Sequence, residues 1–292
     1  MSKLVLANNA GLVKRLVGKI DNPHTRLAYS RHMQEFMNWW GGGELNAAIL
    51  RDYVEQLKAQ DLGSSAINQR LAAIRRLVDE AKESGALPPI IAAELKAVKG
   101  AKQRGTRTGN WLDKQQAQAL LRAPDVATRK GLRDRAILAV FLGCGLRRTE
   151  LSELRVEHVQ QREGRWVLVD IVGKGGRVRS IPMPSWTKAA LDAWTKKAYL
   201  PKGYLFRPIN KGGRLVGDKM TDQGVYAVVR SYTEAKPHDL RRTHAKLAYQ
   251  GGAALDQIQL TLGHASISTT ERYLGAELEL HNAPGDHIRL RL

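Results

Sequence analysis

With 292 residues, the chain is long enough for two domains, each able to bury a core of its own. Its 47 Lys and Arg outnumber 28 Asp and Glu, a formal charge of +19 that attracts polyanions and repels basic partners. The lone Cys144 excludes an internal disulfide and cysteine-rich zinc modules, which fits a reducing cytoplasm, and no apolar run reaches the roughly 18 residues of a membrane helix.

The charge is unevenly placed, 14 basic and 10 acidic side chains in residues 1–100 against 33 and 18 in the remainder. The first hundred residues read as a helical bundle. A helix opens at Asn22-Pro23-His24-Thr25, turns Leu27, Tyr29, Met33, Phe36, Met37 and Trp40 largely to one face, and stops at Gly41-Gly42-Gly43. Asn46 caps a second helix to about Gln60. Ser64 or Ser65 caps a third, in which Ile67, Leu71, Ile74, Leu77 and Val78 follow the 3.6-residue period. Pro88-Pro89 precedes a short helix at 90–98. Arg70, Arg75 and Arg76 interrupt the polar face of the third helix, a pattern that suits a major groove or plain solvent.

Residues 99–110 are small, polar and basic, with Lys99, Lys102, Arg104 and Arg107 and nothing to anchor a core. They read as a linker, either embracing DNA or simply solvated. From Trp111 the pattern is mixed: helices at 113–122, 131–143 and 147–154, then a β-hairpin of Arg165–Val172 and Arg177–Ile181 around Gly173-Lys174-Gly175-Gly176. Helices resume at 185–198, 221–233, 238–250 and 255–262. The fold class expected is mainly α with a small β-sheet (α+β). It comprises an N-terminal helical bundle at 1–98, the basic linker at 99–110 and a mixed C-terminal domain with a tail at 111–292.

Four patches carry residue types that bind phosphate. In Gly143-Cys144-Gly145-Leu146-Arg147-Arg148-Thr149-Glu150, a helix starts at Arg147. Glu150 lies one turn on, able to orient a neighbouring cation. Lys174 sits on the glycine-rich hairpin tip. In Pro237-His238-Asp239-Leu240-Arg241-Arg242, His238 and Arg241 share the first turn of a helix whose positive end favours phosphate and a neutral imidazole. In Gly263-His264-Ala265-Ser266-Ile267-Ser268-Thr269-Thr270-Glu271-Arg272-Tyr273, Ser268 and Glu271 read as a capping box opening the last helix. Taken singly, each patch is ordinary: a surface arginine, a solvated turn lysine, a core histidine or a packing tyrosine.

In this order the patches resemble those of the tyrosine recombinase (phage integrase) family, over residues 111–274. The N-terminal bundle, with Thr25, Tyr29, Phe36 and Trp40, resembles that family's core-binding domain. The size is similar to that of Xer-type members and leaves no room for a further arm-binding domain. The resemblance implies that Arg147, Lys174, His238, Arg241 and His264 assemble around a phosphate, with Tyr273 as nucleophile and Glu150 in support. His244 matches no catalytic position. One departure is that Leu274-Gly275 follows the tyrosine, where the family often has a histidine. Implied too are cleavage and religation of double-stranded DNA through a 3′-phosphotyrosine without metal or other cofactor, and a homo-tetramer on two DNA sites. A directionality protein as accessory partner and a cytoplasmic location complete the expectation, with no membrane attachment.

The chemistry explains the residue set. A phenol with a pKa near 10 must lose its proton, and His238 or the nearby cations meet that need. Arg147, Arg241 and His264 would hold the non-bridging oxygens, and Lys174 would protonate the leaving oxygen. Relaxation of the type IB topoisomerase kind shares this chemistry and is the alternative. A metal-dependent nuclease would need clustered carboxylates, and the patches hold only Glu150 and Asp239. A DNA-binding protein without catalysis would make every patch basic surface. Arg70, Arg75, Arg76, Lys102, Arg104 and Arg107 are the candidates for DNA contact outside the catalytic set.

Overall fold

A computed structural model describes residues 10–102 and 110–274 of the chain. It divides into two compact units, one ending at Gly105 and the other starting at Thr106.

The first unit holds five helices: α1 (Ala10–Gly18), α2 (Pro23–Trp40), α3 (Ala47–Ala59), α4 (Ser64–Glu83) and α5 (Pro89–Ala97). The sequence reading delimited all but α1. Asn22 Oδ1 accepts from Thr25 N at 3.1 Å ahead of Pro23, and Asn46 accepts from the amides of Ala48 and Ile49. The third cap differs from expectation. Gly63 is the N-cap of α4 and makes no side-chain bond, so Ser64 is already helical. Beyond α2 the chain turns through Gly41, Gly42 and Gly43 with φ of 70°, 105° and 98°, a region that side chains avoid.

The core of this unit is the apolar stripe of α4 against Met33, Phe36, Leu50, Tyr53 and Leu95. Phe36 lies edge-on to Tyr53 at 5.1 Å and stacks with Trp40 at 6.3 Å. Leu27, read as part of the buried face, is instead 73% exposed, because α2 buries only its later turns. Residues 98–101, where the helical bundle passes into the stretch read as a linker, are tied to α4. Arg75 donates to Val98 O at 2.7 Å and Asn68 to Ala101 O at 3.0 Å.

The second unit is built on α7 (Arg129–Cys144), buried on all sides from Ala136 to Cys144. Around it pack α6 (Lys114–Arg122), α8 (Arg148–Ser152), α9 (Ser185–Ala198), α10 (Asp222–Arg230) and α11 (Pro237–Gln250). An antiparallel sheet, in the order β1 (Val159–Arg162), β2 (Arg165–Val172) and β3 (Val178–Pro182), flanks them. The expected hairpin is β2–β3, with Leu168 opposite Ile181 and Val172 opposite Val178. The short, half-exposed β1 had no sequence signal. Two helices close the described chain, α12 (Leu255–Leu262) and α13 (Ile267–Leu274).

Helix α7 is ended by Gly145 in the left-handed conformation, φ 60°, where a Cβ would stand 2.6 Å from the His244 ring. That close approach lets the chain leave the core and present Arg147 at once. His244 Nδ1 lies 2.9 Å from Leu142 O, the packing role expected of it.

Candidate functional site

The ends of α7 and α12, the starts of α8 and α11 and the hairpin tip come together in the second unit. Arg147 occupies the N-cap position of α8. Glu150 Oε2 accepts from its amide at 2.8 Å, and Glu150 Oε1 accepts from its guanidinium at 2.7 Å. The same carboxylate takes a two-pronged bond from Arg179 of β3, at 3.0 and 2.8 Å, and has Arg241 at 3.9 Å. Burial alone would raise the Glu150 pKa. The bonds from Arg179 and Arg147 outweigh it and bring the carboxyl down to about 2.

Arg179 was absent from the sequence reading. Its side chain is 10% exposed and its Nε donates to Thr261 O at 2.8 Å, so one guanidinium joins β3, α8 and the end of α12. Gly173 and Gly263 make room for it. A Cβ at either would come within 3.2 Å of Arg179 atoms. A Cβ at Gly173 would also touch Glu150 and Arg147, at 3.3 and 3.4 Å, which brings the hairpin turn containing Lys174 to the same place. The Lys174 side chain lies outside what the structure describes. Sequence could have flagged Arg179 as a basic residue at an inward register of the hairpin, but nothing local separates it from the solvated Arg177.

Arg241 is buried. Its Nη1 donates to Gly145 O at 2.5 Å and its Nη2 to Leu262 O, which ties α11 to the ends of α7 and α12. Burial, then the charge of Arg147, lowers its pKa to about 10, and it stays a cation at neutral pH. Arg147, His238 and Arg241 line one cleft of about 330 Å³, together with Arg148, Lys236 and Tyr226.

His238, second residue of α11, stands on the rim. Partial desolvation, then Arg241 and Arg242, hold its pKa below the ordinary 6.5. His264 follows Gly263, whose φ of 62° ends α12. Its Nδ1 lies 2.9 Å from the hydroxyl of the fully buried Thr270, which fixes the ring and leaves the other nitrogen to the site. Burial, then Arg241 and Arg147, bring His264 to about 4. Both imidazoles are thus neutral at pH 7.

Tyr273 is packed between these histidines, with ring centroids 5.6 Å from His238 and 5.3 Å from His264, both edge-on. Its hydroxyl donates to His238 O at 3.4 Å. The nearby cations were expected to lower the phenol pKa. Burial is the larger effect, and the pKa is raised despite Arg241 and Arg242. The capping of α13 also differs from expectation. The helix starts at Ile267, and Ser266 Oγ, not Ser268, accepts from a first-turn amide, that of Ser268 at 3.3 Å. Tyr273 is therefore the seventh of eight helical residues.

The candidates for DNA contact are divided. Arg70 pairs with Glu35 at 3.2 Å and Arg75 with Val98 O, while Arg76 and Lys102 are exposed. Arg104 and Arg107 lie outside the described residues, as does the tail 275–292. Among the described residues no group of three His, Cys, Asp or Glu is placed to hold a metal ion, and no helix is long and apolar enough to cross a membrane.

The chain is similar to known proteins in sequence and in fold. Residues 110–279 match the model of the phage integrase family, and residues 21–85 match its N-terminal SAM-like domain. The tyrosine recombinase XerC of Pelobacter propionicus is 31% identical over 88% of this chain and 86% of its own length. XerD of Pseudomonas aeruginosa is 30% identical over 88% and 87%. The fold matches the Tn1549 transposon integrase in complex with circular intermediate DNA, with TM-score 0.67, 18% identity and coverage of 96% of this chain and 98% of that one. It also matches a lambda integrase dimer bound to a core site, with TM-score 0.68, 15% identity and coverage of 95% and 80%. On the family model and these relatives, the chain belongs to the phage integrase family.

Proposed function

We propose that the chain is a site-specific DNA recombinase that cuts and rejoins strands through a covalent bond between Tyr273 and a 3′ phosphate. What carries this reading is the juxtaposition of the Tyr273 ring with His238 and His264, beside a cleft bearing Arg147 and Arg241. Arg147 and Arg241 neutralise the charge that grows on the non-bridging oxygens, with His264 donating a further hydrogen bond. Glu150 holds the guanidiniums apart and aimed. His238, unprotonated at neutral pH, receives the phenol proton as the oxygen attacks phosphorus. The P–O5′ bond breaks as the tyrosyl bond forms, and Lys174 of the hairpin supplies the proton to the departing 5′ oxygen. The phosphoester is kept in the protein link, so a new 5′ hydroxyl reverses the step without ATP.

The substrate is double-stranded DNA. The working unit is a homo-tetramer joining two sites, with an accessory directionality protein as a further partner and the cytoplasm as location. The raised phenol pKa fits a nucleophile that stays protonated until a base takes its proton as the oxygen attacks. The test is a nicked suicide duplex from sequence flanking the gene. A covalent adduct forms with the full chain, in chelator as in buffer, and is lost in Tyr273→Phe. An adduct that persists in Tyr273→Phe, or one that chelator abolishes, overturns the reading.

A further inference from the structure

The face of Tyr273 is covered by a residue for which the family resemblance gave no role. Arg242 follows Arg241 on α11, and its guanidinium carbon stands 4.8 Å from the centroid of the Tyr273 ring. Its Nε is buried with no hydrogen-bond partner among the described residues. Arginines buried elsewhere in this unit are satisfied by carboxylates or carbonyls: Arg133 by Asp134, Arg179 by Glu150 and Thr261, Arg241 by Gly145 and Leu262. Arg242 is half-buried, and a buried N–H that lacks an acceptor costs stability unless the aromatic face compensates.

The groups facing the phenol come from two other elements. Helix α11 supplies His238, Asp239, Arg241 and Arg242, and the turn after α12 supplies His264. On its own helix Glu271 is exposed. Of these, Arg242 alone is recorded over the flat face of the ring, with the two histidines at the edges. It is the group best placed both to hold the ring's rotation and to favour negative charge as it grows on the phenol oxygen.

We propose that Arg242 is a positioning residue for the nucleophile, fixing the Tyr273 ring through a cation–π contact and supporting its ionised form during strand cleavage. The inference rests on Tyr273 being the nucleophile. Because Tyr273→Phe is run beside it, failure of that premise is seen separately, as an adduct that survives the loss of the phenol.

The experiment compares Arg242→Met, which keeps most of the volume without charge, with Arg242→Lys, which keeps the charge. Single-turnover adduct formation on the suicide duplex is measured beside DNA affinity and thermal melting. Arg242→Met is expected to slow cleavage by about tenfold and Arg242→Lys by about threefold. Both should keep DNA affinity within about twofold, since the group acts on the nucleophile rather than on the duplex. If Arg242→Met does not fold, Arg242→Gln replaces it with the same expectation. Equal rates for the Met and Lys variants would mean that the arm only fills space. A loss confined to DNA affinity would mean that it grips phosphate. Either result overturns the proposal.

Discussion

The two units use arginine in opposite ways. In the first, basic side chains meet carbonyls or pairs that stay partly open to water: half-exposed Lys19 with Glu80, Arg31 and Arg70 with the 39% exposed Glu35, Arg75 with Val98 O. In the second, one buried carboxylate, Glu150, serves Arg147 and Arg179 directly and lies 3.9 Å from Arg241. The first arrangement spreads its pairs over the unit and carries architecture. The second is short of negative charge, and the deficit is concentrated at a cleft. A folded chain tolerates such a cluster because Glu150 and the helix-end carbonyls hold it, and what the cluster still lacks is an anion. A phosphodiester supplies one.

The largest expected effect breaks that arrangement at its centre. Glu150→Ala leaves Arg147, Arg179 and Arg241 facing one another with no buried counter-charge, at a cost of about 3–5 kcal/mol. Urea unfolding followed by circular dichroism measures it. Glu80→Ala in the first unit removes an acid whose partner Lys19 is half exposed, and should cost no more than about 1 kcal/mol. Similar losses for the two variants would remove the distinction between the units. The pH dependence has a defined sign. The folded Glu150 titrates at about 2 against an ordinary 4.5, so its stabilisation is complete above pH 4.5 and is lost as pH falls toward 2.

Next in size is the cleavage step. Arg147→Ala removes a donor to the developing charge and is expected to slow adduct formation by about 10²–10³. Arg70→Ala, in the paired first unit, should leave that rate unchanged once the DNA is saturated. Single-turnover assays at saturating enzyme separate the two, and a cleavage defect in Arg70→Ala comparable to that of Arg147→Ala would contradict the division of labour.

A smaller effect follows from the histidines. His264 titrates at about 4 in the folded chain against an ordinary 6.5, and His238 is also depressed. Between those limits the unfolded chain binds more protons. The contribution is therefore fully present above pH 6.5 and is lost as pH falls toward 4. Adduct formation should accordingly hold level from pH 8 down to 6.5 and fall at lower pH as His238 protonates. A rate that halves between pH 8 and 7 would show that the phenol's own ionisation, rather than an imidazole, sets the profile.

Much of this was legible because the informative signals are local. Periodicity located α2 and α4, and glycines marked the breaks at 41–43, 145 and 263. The spacing of His238 and Arg241 reported a shared helical turn. The signals that failed are those set by tertiary contact. Leu27 has the right period for burial but lies on a turn that nothing covers. β1 has no alternation because half of it faces solvent. Ser268 has the chemistry of a cap but sits two residues inside a helix that Ser266 opens. Arg179 and Thr270 complete the site through partners far along the chain or through burial, and neither distance nor burial is written in a window of residues. The sign of the Tyr273 shift was missed for the same reason: counting neighbouring cations says nothing of how much water the fold removes.

The smallest expected effects test the exposed cations of the first unit. Arg76 and Lys102 are solvent-facing and have no partner among the described residues, whereas Arg75 Nη2 donates to Val98 O. If the first two lie against phosphates in the complex, each change to Ala should weaken DNA binding a few-fold, uniformly across sequences. Each should also reduce the slope of log affinity against log salt by about 0.9. Arg75→Met should leave that slope unchanged and instead lower stability by about 1 kcal/mol, by freeing a carbonyl that anchors residues 98–101 to α4. Fluorescence anisotropy at several salt concentrations, beside thermal melting, reads both. A salt slope that changes with Arg75 but not with Arg76 would mean that the paired arginine exchanges its carbonyl for DNA, and that the first unit's pairing is not purely architectural.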